Sequence, residues 1–220
     1  MTISKLSAVL PYAEIQSLFN MKEIRTAEYG INDLEKIMQL CGSDIFMLAT
    51  HCATRVRQIY QTNVNLQSLA PLLPSRDPKI IYEIGNILHA DTIQDIYCCR
   101  CEVQDEALQD PLVAAILIAR VYPQDVYIGN LTFRNPYQPL PMDLRKSVLH
   151  THKGLGLLPK FMANVDSYAA AHQCKNITWV ANETSQAELF AKYGYSVDGY
   201  EVAQRAMVAG RTIPMSKRLE

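Results

Sequence analysis

The chain has little net charge and no long apolar run, and these absences exclude several classes of protein. Its 21 Lys and Arg residues balance 22 Asp and Glu residues, so the formal net charge is −1. Such a chain has no overall attraction to nucleic acid or to an anionic membrane. No stretch of about 18 apolar residues is present, as a membrane-spanning helix would need. We therefore expect neither nucleic acid nor membrane as a partner.

The composition is that of an ordinary folded protein. Hydrophobic residues make up 49% of the chain and charged residues 20%, which excludes disorder, collagen and coiled coil as its dominant character. The N-terminal segment MTISKLSAVLPYAEI lacks the long apolar core of a secretory signal. We therefore expect a cytoplasmic protein, and its 220 residues are enough for one large domain.

The six cysteines do not predict a metal site. On a strand, Cys98 would point to one face of the sheet, while Cys99 and Cys101 would point to the other. These neighbours therefore do not gather three ligands, and no His-x-x-x-His pair accompanies them. In a cytoplasmic chain we expect buried or partly buried free thiols instead.

The first 95 residues favour helices around a single strand. Pro11 can break the first of these helices, and Gly42 should end the second. Prolines interrupt residues 61–95, so the helical periodicity of this segment is weaker. The predicted elements, in chain order, are a short helix over 1–20, a strand over 21–28, and helices over 31–41, 44–60 and 80–89.

After residue 95 the pattern changes to strands. The run LVAAILIARV at 112–121 predicts a buried strand, and its neighbours on either side predict an antiparallel meander. The other predicted elements are strands over 96–103, 126–133 and 176–181, a proline-rich loop over 134–150, helices from Gly156 to about 173 and over 185–193, and a terminal hairpin of 200–209 with 212–217 around Gly210.

The order of these elements predicts an α/β fold. A helix lies between strands 126–133 and 176–181, and such a crossover implies that the two strands are parallel. We therefore expect one domain over 1–220: a twisted, mixed, mostly antiparallel sheet with helices on both faces. Residues 1–95 would form an expanded helical N-terminal part, and residues 96–220 the core sheet.

The segment Thr151-His-Lys-Gly-Leu-Gly156 follows a strand and a loop and opens a helix. Glycines let a ligand approach the backbone closely, and the free amides and positive end of a helix favour an anion such as a diphosphate. Lys153 adds positive charge at the same place. The alternative is a plain helix-entry turn, and the spacing of two glycines alone does not decide between the two.

Five segments, in this order, resemble the GCN5-related N-acetyltransferase (GNAT) superfamily, whose members transfer an acyl group from acyl-coenzyme A. The resemblance runs from about Lys22 to Leu219. Thr151 stands where the family's diphosphate loop begins with Gln or Arg. The segments are EIRTAEYGINDLEKIMQL, THKGLG, SYAAAHQCKNITWVAN, SQAELFAKYGYSVDGY and GRTIPMSKRL.

The resemblance implies a GNAT-like fold in which the family's fourth and fifth strands, 126–133 and 176–181 here, splay apart around the cofactor. Acetyl-coenzyme A would be the co-substrate, and no metal would be required. Arg145 and Lys146 would either reach a phosphate of the cofactor or be ordinary surface charges. The cofactor-binding residues that the resemblance implies are Leu131, Thr132, Phe133, His152, Lys153, Gly154, Leu155, Gly156, Leu157, Asn182 and Phe190.

The resemblance also implies catalytic roles. Many relatives carry a Tyr on the helix after the fifth strand, which protonates the leaving thiolate. Phe190 occupies that place here, so Tyr193 is the candidate acid, or else an ordinary packing residue. Glu102, His150 and His152 are candidate bases, because a base must lie within hydrogen-bond reach of the amine, and each could equally be a surface residue.

The sequence therefore predicts an N-acetyltransferase that moves an acetyl group from acetyl-coenzyme A to a primary amine by direct attack. The acceptor is not identified. The alternative is a catalytically degenerate relative that binds coenzyme A or a protein partner without turnover, and Phe190 and Thr151 favour it. A homodimer is left open.

Overall fold

The structure is a computed structural model that describes residues 3–19, 22–60, 92–145 and 150–219, with residues 53–60 described by their backbone alone. The predicted helix over 80–89 and Lys146 lie outside the described residues. The strands are β1 (Ile24–Tyr29), β2 (Ile93–Val103), β3 (Leu112–Val121), β4 (Asp125–Pro139), β5 (His152–Gly154), β6 (Asn176–Glu183), β7 (Ser196–Val197) and β8 (Arg211–Arg218). The helices are α1 (Tyr12–Leu18), α2 (Leu34–Tyr60), α3 (Leu158–Ala171), α4 (Thr184–Ala191) and α5 (Glu201–Ala209).

The described strands form one mixed sheet with the order β1-β2-β3-β4-β6-β8-β7, and β5 pairs with β4 beside this path. Every described pair is antiparallel except β4 with β6, which is parallel. Helix α3 forms the crossover between these two strands. The predicted mostly antiparallel sheet with one parallel pair is therefore confirmed.

The sheet buries both of its faces, and β3 shows why its sequence is a continuous apolar run. Ile116 and Ile118 belong to one hydrophobic core, whereas Leu117 and Ala119 belong to the other. The first core receives α3, α4 and the N-terminal segment, and the second receives α2. A strand buried on both faces needs no polar alternation, and helices on both faces are confirmed.

The N-terminal helices break where the sequence predicts. Pro11 separates two pieces, a 3-10 helix at Leu6–Val9 and α1. The backbone leaves helical geometry at Cys41 (φ −134°, ψ 39°), next to Gly42, so that α2 consists of two helical segments joined at a kink.

The predicted terminal hairpin is wrong in its first half, because residues 201–209 form helix α5. This segment contains strong helix formers, and Glu201 pairs with Arg205 one turn later. Its alternating pattern was too short to separate a strand from a helix. Gly210 ends the helix in the left-handed conformation (φ 67°), as a helix C-terminus often requires.

The predicted loop over 134–150 is also partly wrong. Strand β4 continues to Pro139, a 3-10 helix follows at Met142–Leu144, and β5 pairs with the far end of β4. Proline lacks an N–H group and is tolerated in a strand only where no partner needs that group. The prolines of this stretch therefore predict a loop, but Pro136 and Pro139 lie in the outer part of β4.

Helices long and apolar enough to cross a membrane are not found among the described residues. The same part of the chain contains no group of three His, Cys, Asp or Glu side chains that could hold a metal ion.

All six cysteines are free, and only Cys41 is partly exposed. Cys98 lies in one core and Cys99 and Cys101 in the other, as predicted from strand alternation. The sulfur atoms of Cys41 and Cys98 are 3.8 Å apart. This neighbour holds the pKa of the Cys41 thiol below its usual value, whereas burial raises the pKa of Cys52 to about 12.

We expect iodoacetamide at pH 8 to alkylate Cys41 before the other cysteines of the folded protein. The thiolate is the reactive form, and Cys41 combines a lowered pKa with partial exposure. Peptide mass spectrometry after timed quenching should show Cys41 reacting at least about tenfold faster than Cys52. In denaturant the two rates should converge. Equal rates in the folded protein would contradict this reading.

Candidate active-site cleft

The parallel pairing of β4 with β6 ends early, and this separation opens the candidate site. The two strands are in register only from Asp125–Asn176 to Ile128–Trp179, although both continue beyond it. At the same point the register of β4 against β3 shifts, because Leu117 faces Asn130 and Ile118 faces Ile128. Gly129 is therefore an extra residue, and such a bulge bends a strand.

A cleft of about 1160 Å³ occupies the space between the separated strands. It reaches the α2 side of the sheet at Ser43, Asp44 and Met47 and the α4 side at Gln186 and Leu189. Volumes of this size are typical of sites for small ligands. The lining residues from β4, β5 and β6, with their neighbours, include Tyr127, Gly129, Asn130, Leu131, Thr132, Phe133, Arg134, His150, Thr151, His152, Gly154, Trp179, Val180 and Asn182.

The predicted cofactor contacts on β4 all lie along this cleft. Leu131, Thr132 and Phe133 follow the bulge, on the edge of β4 that has lost β6 as its neighbour. A strand edge without a partner presents N–H and C=O groups to a ligand. Asn182, near the end of β6, lines the opposite side.

The loop before α3 presents backbone groups beside the same cleft. Gly154 pairs with Arg134 of β4, and Gly156 is left-handed with φ 72°. A Cβ atom at Gly156 would meet nothing within 4 Å, so that its surroundings are open. Helix α3 then begins at Leu158 without a side-chain cap and without an acidic residue in its first turn. Among the described residues no side chain caps this end of α3, so its first-turn N–H groups, of which Pro159 has none, and its dipole favour an anion.

His150 and His152, two of the candidate bases, both line the cleft. The Nδ1 atom of His152 lies 2.9 Å from the Thr151 hydroxyl. Burial and the nearby Arg134 guanidinium lower the pKa of His152, which keeps the ring neutral at pH 7. Arg134 itself forms an ion pair with Asp110.

Tyr193, Glu102 and Phe190 do not line the cleft in the structure. Tyr193 is partly buried against the core after α4, and Glu102 on β2 pairs with Arg100. Phe190 is only 3% exposed and stacks on Trp179 with ring centroids 4.5 Å apart. Phe190 therefore packs against Trp179, which does line the cleft. The proposed roles of Tyr193, Glu102 and Phe190 stay predictions.

Asp44 is the residue at this site that sequence reasoning missed. It is half-buried, lines the cleft from α2, and accepts a hydrogen bond of 2.8 Å from the Asn130 side-chain amide. Burial raises the pKa of this carboxyl group, and the hydrogen bond offsets part of the shift. In the sequence Asp44 is an ordinary polar residue near a helix start, 86 residues from its partner, so no local signal identifies it.

Comparison with solved structures finds acetyltransferases that are similar to this chain. No protein-family model and no curated protein match it. An acetyltransferase of the GNAT family from Staphylococcus aureus Mu50 is 11% identical over 90% of this chain and 100% of that chain, with a TM-score of 0.40. A putative N-acetyltransferase from Lactobacillus plantarum is 11% identical over 90% of this chain and 99% of that one, with a TM-score of 0.38.

A third similar structure carries a bound cofactor. The putative streptothricin acetyltransferase from Bacillus anthracis, solved in complex with acetyl coenzyme A, is 13% identical over 59% of this chain, with a TM-score of 0.35. This chain spans 64% of the length of that protein.

We expect Phe190→Ala to lower the free energy of unfolding by about 3–5 kcal/mol, because it removes a buried ring from the Trp179 stack. Phe190→Leu keeps an apolar side chain and should cost less than Phe190→Ala. Urea unfolding can be followed through Trp179, the only Trp in the chain. A loss below about 1 kcal/mol for Phe190→Ala would contradict the buried position of this ring.

Proposed function

We propose that this protein is an acetyl-coenzyme A-dependent N-acetyltransferase that acts on a primary amine by direct attack. The observation that carries the proposal is the cleft between the separated strands β4 and β6, with the glycine loop before α3 at its side. The resemblance to the GNAT superfamily, read from the sequence, supports the same assignment. The proposal includes residence in the cytoplasm, and a homodimer remains open.

The residues around the cleft fit a coenzyme A thioester. The free edge of β4 at Leu131, Thr132 and Phe133 offers backbone groups to the pantetheine arm, and Asn182 faces this edge. The loop amides from His152 to Leu157, with Lys153, would hold the diphosphate. The bound thioester would supply an activated acetyl group, and a backbone N–H near the β4 bulge would stabilise the developing oxyanion.

Of the candidate bases named from the sequence, His150 and His152 line the cleft, and the lowered pKa of His152 favours its neutral form, which can accept a proton. Glu102 and Tyr193 would need to reach the acetyl group through water or through movement of neighbouring residues. Holding both reactants in one cleft accelerates acyl transfer even without a strong acid.

The alternative is a protein that binds coenzyme A, or a protein partner, without turnover. Phe190 favours it, because this residue stands where many relatives have the acidic Tyr and its ring is buried under Trp179. Release of free thiol from acetyl-coenzyme A in the presence of primary amines separates the two functions. Amine-dependent thiol release supports the enzyme, whereas tight binding without release supports the alternative.

We expect Gly156→Asp to weaken the binding of acetyl-coenzyme A about tenfold relative to Gly156→Asn. Asn and Asp both tolerate the left-handed backbone that Gly156 adopts (φ 72°) and have nearly the same shape. The difference between them therefore reports the charge placed beside the diphosphate. Isothermal titration calorimetry gives both dissociation constants. Wild-type affinity in both variants would contradict the proposed loop site.

A further inference from the structure

Asp44 lies on the α2 side of the cleft. It follows the kink of α2 at Cys41 by less than one helical turn and enters the cleft from the α2 side together with Ser43 and Met47. The predicted cofactor contacts on β4, and Trp179, line the same cleft. Asp44 is thus a carboxylate on the side of the sheet opposite to α3 and its glycine loop.

The carboxylate of Asp44 has unused capacity for hydrogen bonds. Within the described part of the chain, its one hydrogen bond comes from the Asn130 side chain at 2.8 Å, and no described Lys or Arg forms an ion pair with it. An ionised carboxylate offers about four acceptor positions. A half-buried carboxylate with a single neutral donor is incompletely compensated.

Among the described residues, Asp44 interacts electrostatically with the thiol of Cys41 on α2, the thiol of Cys98 on β2 and the phenol of Tyr127 on β4. None of these three groups is a cation. The other ionisable side chains that line the same cleft are Arg134, His150, His152, Lys192, Glu183 and Glu188. The local environment therefore favours a cation brought by a ligand.

We propose that Asp44, oriented by Asn130, binds the ammonium group of the acceptor and takes its proton before acetyl transfer. This inference rests on the proposed function. Asn130 directly follows the bulged Gly129, so its amide fixes the carboxylate beside the point where β4 leaves β6. That point is also where the proposed function puts the thioester.

The proton balance of this step is simple. The ammonium group, R–NH3+, gives one proton to the Asp44 carboxylate and becomes a neutral amine. The amine nitrogen forms a bond with the acetyl carbon, the carbon–sulfur bond breaks, and the remaining surplus proton of the nitrogen goes to the thiolate. The Asp44 carboxyl group then returns its proton to water.

The raised pKa of Asp44 supports this role, because a stronger base accepts the ammonium proton more readily. It also predicts the direction of the pH dependence. Activity should fall as the pH drops through the raised pKa of Asp44, since the protonated carboxyl group neither attracts the cation nor accepts its proton.

The acceptor class can be tested without coenzyme A, with 4-fluorobenzylammonium as the probe and 4-fluorobenzyl alcohol as its uncharged analogue. Fluorine NMR of the probe, titrated with the full-length protein, gives the affinity. We expect Asp44→Asn to weaken ammonium binding at least about tenfold, with no change for the alcohol. Glu35→Gln is the matched control, because it removes an exposed carboxylate from the same helix.

Three results would overturn the inference. The first is no binding of the ammonium probe to the wild type at about 20 mM, a concentration at which even weak binding is detectable. The other two are equal ammonium affinity in wild type and Asp44→Asn, or an equal loss of ammonium affinity in Glu35→Gln. Urea unfolding and circular dichroism verify that each variant is folded. Asp44→Ser, which suits a helix start, replaces Asp44→Asn if the latter does not fold.

Acetyl-coenzyme A binding, measured on the same variants, separates this inference from the proposed function. If Asp44→Asn binds acetyl-coenzyme A normally and loses the ammonium probe, the inference is supported. If both variants and wild type bind acetyl-coenzyme A but the ammonium affinity does not depend on Asp44, the inference fails while the proposed function stands. If the wild type does not bind acetyl-coenzyme A, the proposed function fails and the proton-transfer role of Asp44 fails with it.

Discussion

The end of the hydrogen-bonded register between β4 and β6 is the constraint on which the rest of the site depends. The two strands pair in parallel for four residues each, and the bulge at Gly129 then turns β4 away. A Cβ at this glycine would lie 2.9 Å from a methyl group of Leu117, so any side chain here would force Leu117 to move. The separation opens the middle of a sheet that is otherwise buried on both faces.

Everything proposed about function follows from this opening. The crossover helix α3 begins on one side of it, with a glycine loop and an uncapped end, and α2 contributes Asp44 from the other side. A thioester and an amine could therefore enter from opposite faces and meet between the strands. Trp179 forms part of the cleft wall, and the buried ring of Phe190 stacks behind it.

Much of the fold could be predicted from the sequence, because strand and helix patterns are local. The apolar run at β3 and the crossover between β4 and β6 are sufficient to predict the mixed sheet and its parallel pair. The predictions failed where a local pattern was short or ambiguous. The pattern predicts a strand over 200–209, whereas residues 201–209 form α5. The prolines after Phe133 predict a loop, whereas β4 continues to Pro139.

The site was predictable only in the parts that carry a sequence pattern. The resemblance to a known superfamily predicts the glycine loop and the β4 residues as cofactor contacts. It does not predict Asp44, since the importance of this residue arises from a contact with Asn130 across 86 residues and from burial that only the folded chain creates. The bulge at Gly129 likewise depends on the register of two strands.

The most direct test of this account is a crystal structure of the protein soaked with coenzyme A. The account predicts the pantetheine arm between β4 and β6, beside Leu131 and Thr132, with the diphosphate against the amides of residues 152–157. Coenzyme A bound on another surface, with the cleft between β4 and β6 empty, would contradict it.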